Sequence, residues 1–123
     1  IGTGFEMAKR LGADIVVTMF HWGDEYKLKH NKKQEEIAHT AIDAGASLVI
    51  GHHPHVIQDI ETYHNTPIIY SLGNFIFDQN FSKDTKRGLV AEIRINQDKS
   101  ISVIPHEIRF TKDFQPYFFH PSF

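Results

Sequence analysis

Cysteine is missing from all 123 residues, which excludes a disulfide framework, a thiolate metal site and a cysteine nucleophile, and leaves the redox compartment open. An excess of one charge is missing too. The 13 Lys and Arg stand against 15 Asp and Glu, a formal net charge of -2. The basic surplus of a nucleic-acid binder is therefore lacking, and no nucleic-acid partner is expected. No apolar run approaches the roughly 20 residues of a membrane-spanning helix, and these residues contain no targeting segment. Gly-x-Ser-x-Gly, a Gly-rich phosphate loop, an EF-hand loop and a His-Glu-x-x-His helix are all absent. So are internal repeats and Gly/Ser linkers. What is present is 41% hydrophobic and 23% charged, enough for one domain with a core. Histidine stands out: the chain has nine, clustered in Gly51-His52-His53-Pro54-His55.

The periodicities change along the chain. Phe5, Met7, Ala8 and Leu11 read as the tail of a helix stopped by Gly12. Asp14 to Phe20 is a short β-branched run of the inner parallel-strand kind. Lys33 to Ala44 repeats Ile37 with Ala41 and Ala38 with Ile42 at helical spacing; Asn31 is placed to cap it and Gly45 to end it. Ser47 to Ile50 then reads as a second buried strand, so the first part is an α/β unit. Val56 to Tyr63 alternates, a turn follows from Tyr63 to Thr66, and Pro67 to Leu72 is again apolar. Leu89 to Ile95 alternates cleanly, Asn96 to Lys99 reads as a hairpin connection, and Ile101 and Val103 open the return strand. Pro105 predicts that the return strand lies at an edge or ends there.

Three segments carry residues capable of chemistry. His21-Trp22-Gly23-Asp24-Glu25 follows the first strand, and in open α/β sheets ligands bind at the carboxyl ends of strands. Its plain alternative is a loop histidine beside a core Trp. The His52-His53-Pro54-His55 cluster follows the second strand; in an extended stretch the His53 and His55 rings point the same way, and imidazole suits zinc, manganese or iron. Histidines alone neutralise a divalent ion poorly, so a carboxylate is expected from elsewhere, with Asp14, Asp24, Glu25, Asp59 and Asp78 available and Asp14 at the wrong end of its strand. Third, Tyr70 to Asp78 offers Asn74 as a ligand or a hydrogen-bond partner for a substrate oxygen, Ser71 as a second such partner, or simply a turn. Lys27, Lys29, Lys32 and Lys33 read as a solvated face.

Taken together, Phe20 to Tyr26, Ile50 to Val56 with Gln58, and Ile69 to Asp78 resemble the signature of the bacterial capsule synthesis family, which includes poly-gamma-glutamate biosynthesis proteins. The likeness covers about residues 5–110. That family in turn resembles the calcineurin-like metallophosphoesterases, four-layer sandwiches with a two-metal site on loops after strands. The resemblance implies an α/β fold, parallel strands with helices followed by an antiparallel portion, corresponding to the C-terminal half of such a sandwich. It gives His21 the place of the isolated histidine and His53 with His55 that of the His-x-His pair, His52 being the alternative. His21 is then a metal ligand or a transition-state hydrogen-bond donor, and Asn74 a second candidate catalytic residue. Two divalent ions, manganese, zinc or iron, would activate water and polarise the scissile group.

The Asp-x-His and Asn-His-Asp blocks of such folds do not occur in these residues. The expectation is accordingly an excerpt: residues 1–110 as half of a domain that needs its other half or a second copy, and 111–123 as an aromatic tail. That tail region, with Phe110, Phe114, Tyr117, Phe118, Phe119 and Phe123, either folds back or covers a surface elsewhere. Function by resemblance is capsule or poly-gamma-glutamate biosynthesis at the cell surface or membrane. The site is either a metal-dependent hydrolase acting on an anionic polymer or a phosphoester, or a non-catalytic part of a membrane synthesis or export complex.

Overall fold

The computed structural model describes residues 2–120; Ile1, and Pro121 and Phe123 of the expected tail, lie outside the described residues. The first part alternates helix and strand: α1 (Gly2–Arg10), β1 (Val17–His21), α2 (Lys32–Asp43) and β2 (Leu48–His52). Two antiparallel units follow, β3 (Ile60–Tyr63) with β4 (Thr66–Ile69), and β5 (Arg87–Ile95) with β6 (Ile101–Phe110) and β7 (Pro116–Phe118). One sheet has the order β1-β2-β4-β3 and the other β5-β6-β7. β1, β2 and β4 run parallel, and β3 returns antiparallel beside β4. The chain is a mixed α/β structure, with helices on the parallel portion as the patterning predicts.

Local chemistry explains the boundaries. Asn31 caps α2 by accepting from the Gln34 amide, while the Gln34 side chain accepts from the Asn31 amide in return, a reciprocal capping box. Ala38 and Ala41 are fully buried, and their small size lets α2 lie close against Val49 and Ile68 of the sheet. Phe5 anchors α1 in the same core, whereas Met7 and Leu11 point to solvent. The β3–β4 hairpin turns through His64 and Asn65, both with positive φ (46 and 62), the conformation that matches strand twist in a two-residue loop. Val17 and Met19 alternate with Phe20 and remain exposed on the face of β1 away from the helices.

Two expectations need correction. The run from Val56 to Tyr63 becomes regular strand only at Ile60, because Ile57 makes an isolated bridge to Leu72 and Gln58 turns its side chain into the 23–31 loop. Pro105 does not end its strand: β6 continues to Phe110 and is the middle strand of its sheet. The reason is alternation. Glu107 accepts from the Phe119 amide on the side away from β5, so Pro105, two residues earlier, turns its nitrogen to that side as well. There it lies beyond the β7 pairing, which covers only Ile108 to Phe110, and no ladder hydrogen bond is lost. The tail folds back through β7, although Tyr117 and Phe118 stay about half exposed, at 48% and 54%.

The two sheets meet next to the third chemical segment. Gly73 bridges to Gly88, and the Leu89 amide donates to the Leu72 carbonyl at 2.7 Å. A Cβ on Gly88 would collide with the Asn74 carbonyl, so glycine is what permits this approach. The start of β5 thereby holds Asn74 in place.

Candidate functional site

The carboxyl ends of β1 and β2 bring the histidines together. His21 and His52 are register partners on adjacent parallel strands. Beyond β2 the chain bends so that the His21 and His53 ring centroids lie 4.6 Å apart, and those of His53 and His55 6.0 Å apart. The adjacent strand ends bring the rings together as expected, but the extended stretch expected over His53 and His55 is not found. His53 and His55 are not extended; both have positive φ, 105 and 60, flanking buried Pro54. Such conformations are uncommon for non-glycine residues and cost on the order of 1–3 kcal/mol each, so the surroundings must hold them.

Those surroundings are visible. The Tyr26 amide donates to the Pro54 carbonyl at 2.8 Å and the Trp22 amide to that of His52 at 3.1 Å, tying the loop after β1 to the loop after β2. Trp22 is buried, stacks on Phe20 and donates its indole N–H to the Tyr70 carbonyl at 2.9 Å. It is a core residue, as its plain reading has it. Gln34 Nε2 donates to Gln58 Oε1 at 2.9 Å, and Gln58 Nε2 donates to the carbonyls of Lys27 (2.9 Å) and Lys29 (3.1 Å). Both glutamines are buried, and the relay ties two carbonyls of the part-buried 23–31 loop to them.

The pinned loop delivers a carboxylate that sequence reasoning named without choosing. Ligand atoms of Glu25, His53 and His55 all lie within 4.8 Å of one another. The other four acids go elsewhere or stay apart. Asp24 accepts from Asn31 Nδ2 and Asp59 from His30, Asp14 pairs with Lys99, and Asp78 is exposed without a charged partner among the described residues. The clue to Glu25 in the sequence is only its position three residues past the His21-Trp22 pair.

Asn74 sits behind this group rather than at its surface. It is 5% exposed, its Oδ1 lies 2.9 Å from His55 Nδ1, and its Nδ2 donates to the Thr85 carbonyl at 2.9 Å. Because Nδ2 is committed as donor, Oδ1 is the acceptor and His55 Nδ1 carries the proton, leaving Nε2 with a lone pair. In this structure the Asn74 amide is used within the protein, on His55 and the Thr85 carbonyl. Ser71, also buried, accepts from the Gly73 amide.

The donor set suits a divalent ion. Two borderline imidazoles and a hard carboxylate oxygen form a mixed set of the kind that holds zinc, manganese or iron. His52 adds an independent sign: its Nε2 is buried with no hydrogen-bond partner among the described residues. Burial, reinforced by neighbouring His21, pushes its pKa down and keeps the ring neutral. On the open side His55 packs against Phe77 at 5.0 Å and Tyr26 at 6.1 Å.

Comparisons with known proteins agree on one family. A family model described as "Bacterial capsule synthesis protein PGA_cap" matches residues 4–79. The chain is 42% identical over 102 residues to the capsule biosynthesis protein CapA of Bacillus anthracis, covering 82% of this chain and 25% of that protein. It is 44% identical over 97 residues to the PGA biosynthesis protein CapA of Bacillus subtilis (strain 168), covering 78% and 26%. A probable polyglutamine synthesis accessory protein of Mycobacterium tuberculosis is 33% identical over 72 residues, 58% of this chain and 19% of that protein. The chain spans about a quarter of the length of the first two relatives.

Proposed function

This chain belongs to the bacterial capsule synthesis protein family, and from that premise we propose that it forms part of a divalent-metal hydrolytic site serving the assembly, release or export of a poly-gamma-glutamate type polymer at the cell surface. The observation that carries the reading is the convergence of Glu25, His53 and His55, with His21 beside His53, at adjacent strand ends. The order of an isolated histidine after one strand and a His-x-His pair after the next supports a calcineurin-like metallophosphoesterase sandwich, of which these residues are the C-terminal half.

In this reading Glu25, His53 and His55 hold one ion, and a second is served either by His21 or, where His21 is a hydrogen-bond donor instead, by His52. Manganese, zinc or iron fits the donors, and two ions belong to the full protein. A bound ion would supply Lewis-acid polarisation of the scissile amide or phosphoester and ease deprotonation of the attacking water. The protein's own part is positional. Asn74 fixes the His55 tautomer, Tyr26 and Phe77 pack against the His55 ring, and His21, where it is not a ligand, would donate a hydrogen bond to a developing negative oxygen. Exposed Val17 and Met19 on β1 support the expectation that another polypeptide segment, from the missing half or a second copy, covers that face and adds carboxylates.

One observation favours a second reading. Glu25 is the sole carboxylate in the cluster among the described residues, whereas two ions require more negative charge than one side chain brings. If no other segment supplies it, the site is a polymer-binding remnant in a membrane synthesis or export complex.

Elemental analysis of the full protein, with H53A and H55A beside it, tests the reading. The expected result is divalent metal in the wild type, loss in both variants, and metal-dependent cleavage of poly-gamma-glutamate or a model phosphodiester. Metal without cleavage favours the second reading. A wild-type protein that takes up no metal from manganese, zinc or iron solutions overturns both the site and its chemistry.

A further inference from the structure

We propose that a groove on the second sheet, away from the histidine centre, binds the carboxylates of the polymer and leads the chain toward that centre; this rests on the function proposed above and adds where the substrate is held. The groove has a volume of about 410 Å³, and its walls include Lys83, Lys86, Arg87, Arg109, Phe110 and Tyr117. A further hollow of about 220 Å³ shares Lys86 and Phe110 with it and adds Lys112 and Phe114. The two form one track along the open flank of β6 and β7.

The charges of this track are unevenly satisfied. Arg87 and Arg109 both bond Glu107, and Arg87 also faces Asp84, the remaining wall of the groove, at 3.9 Å. Lys83, Lys86 and Lys112 are exposed, and among the described residues none has a carboxylate within ion-pair distance. Three unpaired ammonium groups thus stand on one track of a chain whose net charge is -2. Between them lie aromatic faces, Tyr117 being 48% exposed. Separated ammonium groups interleaved with apolar rings complement a polymer in which carboxylates alternate with methylene-rich spacers.

The track is mechanically joined to the centre. Lys83 lies within, and Lys86 directly after, a turn closed by reciprocal hydrogen bonds between Ser82 and Thr85. Thr85 is fully buried, and its carbonyl accepts from Asn74, the residue that holds His55. Phe81, 64% exposed, meets Tyr26 edge-on at 5.0 Å, and Tyr26 in turn packs on His55. An apolar strip thus runs from the lysine turn to the histidines.

The test uses the full protein and an end-labelled poly-gamma-glutamate oligomer, read by fluorescence anisotropy. Loss of charge-assisted contacts at two lysines predicts that K83E/K86E binds about a hundredfold more weakly, roughly tenfold per contact. KM for polymer cleavage should rise with kcat little changed. K83R/K86R should keep the wild-type affinity, as should R94E/K99E, which makes the same charge change at the distant hairpin tip. Unchanged affinity in K83E/K86E, with metal loading or cleavage intact, overturns the groove and leaves the proposed function standing. Equal weakening in R94E/K99E, or equally tight binding of polyphosphate, reduces the effect to general charge attraction and also overturns it. A wild-type protein that takes up metal yet neither binds nor cleaves the oligomer removes the polymer as substrate and the groove with it.

Discussion

His55 Nδ1 lies 2.9 Å from Asn74 Oδ1, joining the loop after β2 to the segment that leads into the second sheet. Since Asn74 Nδ2 is spent on the Thr85 carbonyl, this contact selects one tautomer of His55 and points the unprotonated Nε2 away from Asn74. The expected effect of N74A is a fall in metal affinity of about 10–100-fold, the usual result of removing such a supporting partner. N74D keeps an acceptor for Nδ1–H but sets a carboxylate oxygen against the Thr85 carbonyl. It should retain most of the affinity and lose stability. Titration calorimetry with zinc or manganese on the full protein, beside a denaturant melt, separates the two effects; equal metal affinity in N74A and wild type refutes the role.

Glu25 is expected to matter for charge as well as geometry. E25Q keeps the shape and one carbonyl oxygen but removes the negative charge within 4.8 Å of the His53 and His55 nitrogens. Metal affinity should fall, by about tenfold or more, while the unfolding midpoint of the metal-free protein stays within about 0.5 kcal/mol of wild type, since Glu25 is exposed. A drop in stability with unchanged affinity would make Glu25 a structural residue instead.

The parts legible in the sequence are those governed by neighbours in the chain. Asn31 and Gln34 announce the start of α2 by their three-residue spacing, and Ala38, Ala41 and Ile42 announce its buried face. The alternation of Leu89 to Ile95 is likewise local, and it predicts β5. What stayed hidden depends on contacts distant in sequence. Nothing near His53 and His55 reveals that both take positive φ, because Tyr26, far along the chain, holds that bend through Pro54. Glu25 became distinguishable from Asp24 only once Gln34 and Gln58 had set the loop's path. Pro105 misled for a related reason: its effect depends on which side of β6 lacks a partner, and β7 decides that.

Gly51 offers a test of close packing at the end of β2. A Cβ there would run into the Tyr70 carbonyl oxygen and the Trp22 indole nitrogen, the two partners of a 2.9 Å hydrogen bond. G51A must therefore displace a buried ring or part that bond. A loss of about 3 kcal/mol is expected from overpacking together with an unpaired buried N–H. Urea unfolding followed by Trp22 fluorescence, the only tryptophan signal in these residues, measures it. A change below about 0.5 kcal/mol would show that Trp22 moves freely.

Glu107 gives the second sheet an acid-sensitive limb. The Arg87 guanidinium, bonded through Nε and Nη2, holds its carboxyl below the usual glutamate range; partial burial opposes this and Arg109 adds to it. A depressed native pKa means the unfolded chain takes up the proton first. The stabilisation is full above the ordinary glutamate range and disappears as pH falls through the lower native value. For this partly exposed pair about 1 kcal/mol is at stake. E107Q should reduce stability at neutral pH by that amount and flatten the acid limb between those two values. An unaltered pH profile in E107Q would assign the acid loss to other carboxylates.

Gln58 provides the most stringent test of how the 23–31 loop is built. Its Nε2 donates to the carbonyls of Lys27 and Lys29 while its Oε1 accepts from Gln34, and none of these atoms touches Glu25, His53 or His55. If the relay only fills space, Q58E, nearly identical in volume, should behave as wild type. If donation is what matters, the carboxylate fails, because it can accept from Gln34 but cannot donate to either carbonyl. The second outcome is expected. Q58E should lose about 2–3 kcal/mol through a buried charge and the loss of both bonds to the loop carbonyls. Amide exchange should quicken through residues 24–30, and metal affinity should fall because Glu25 rides on that loop. Q58M, which keeps volume and avoids the buried charge, should loosen the loop just as much while losing less stability. Slow exchange in both variants would mean that the Tyr26–Pro54 bond alone suffices to hold the loop, and that the glutamine relay contributes only to packing.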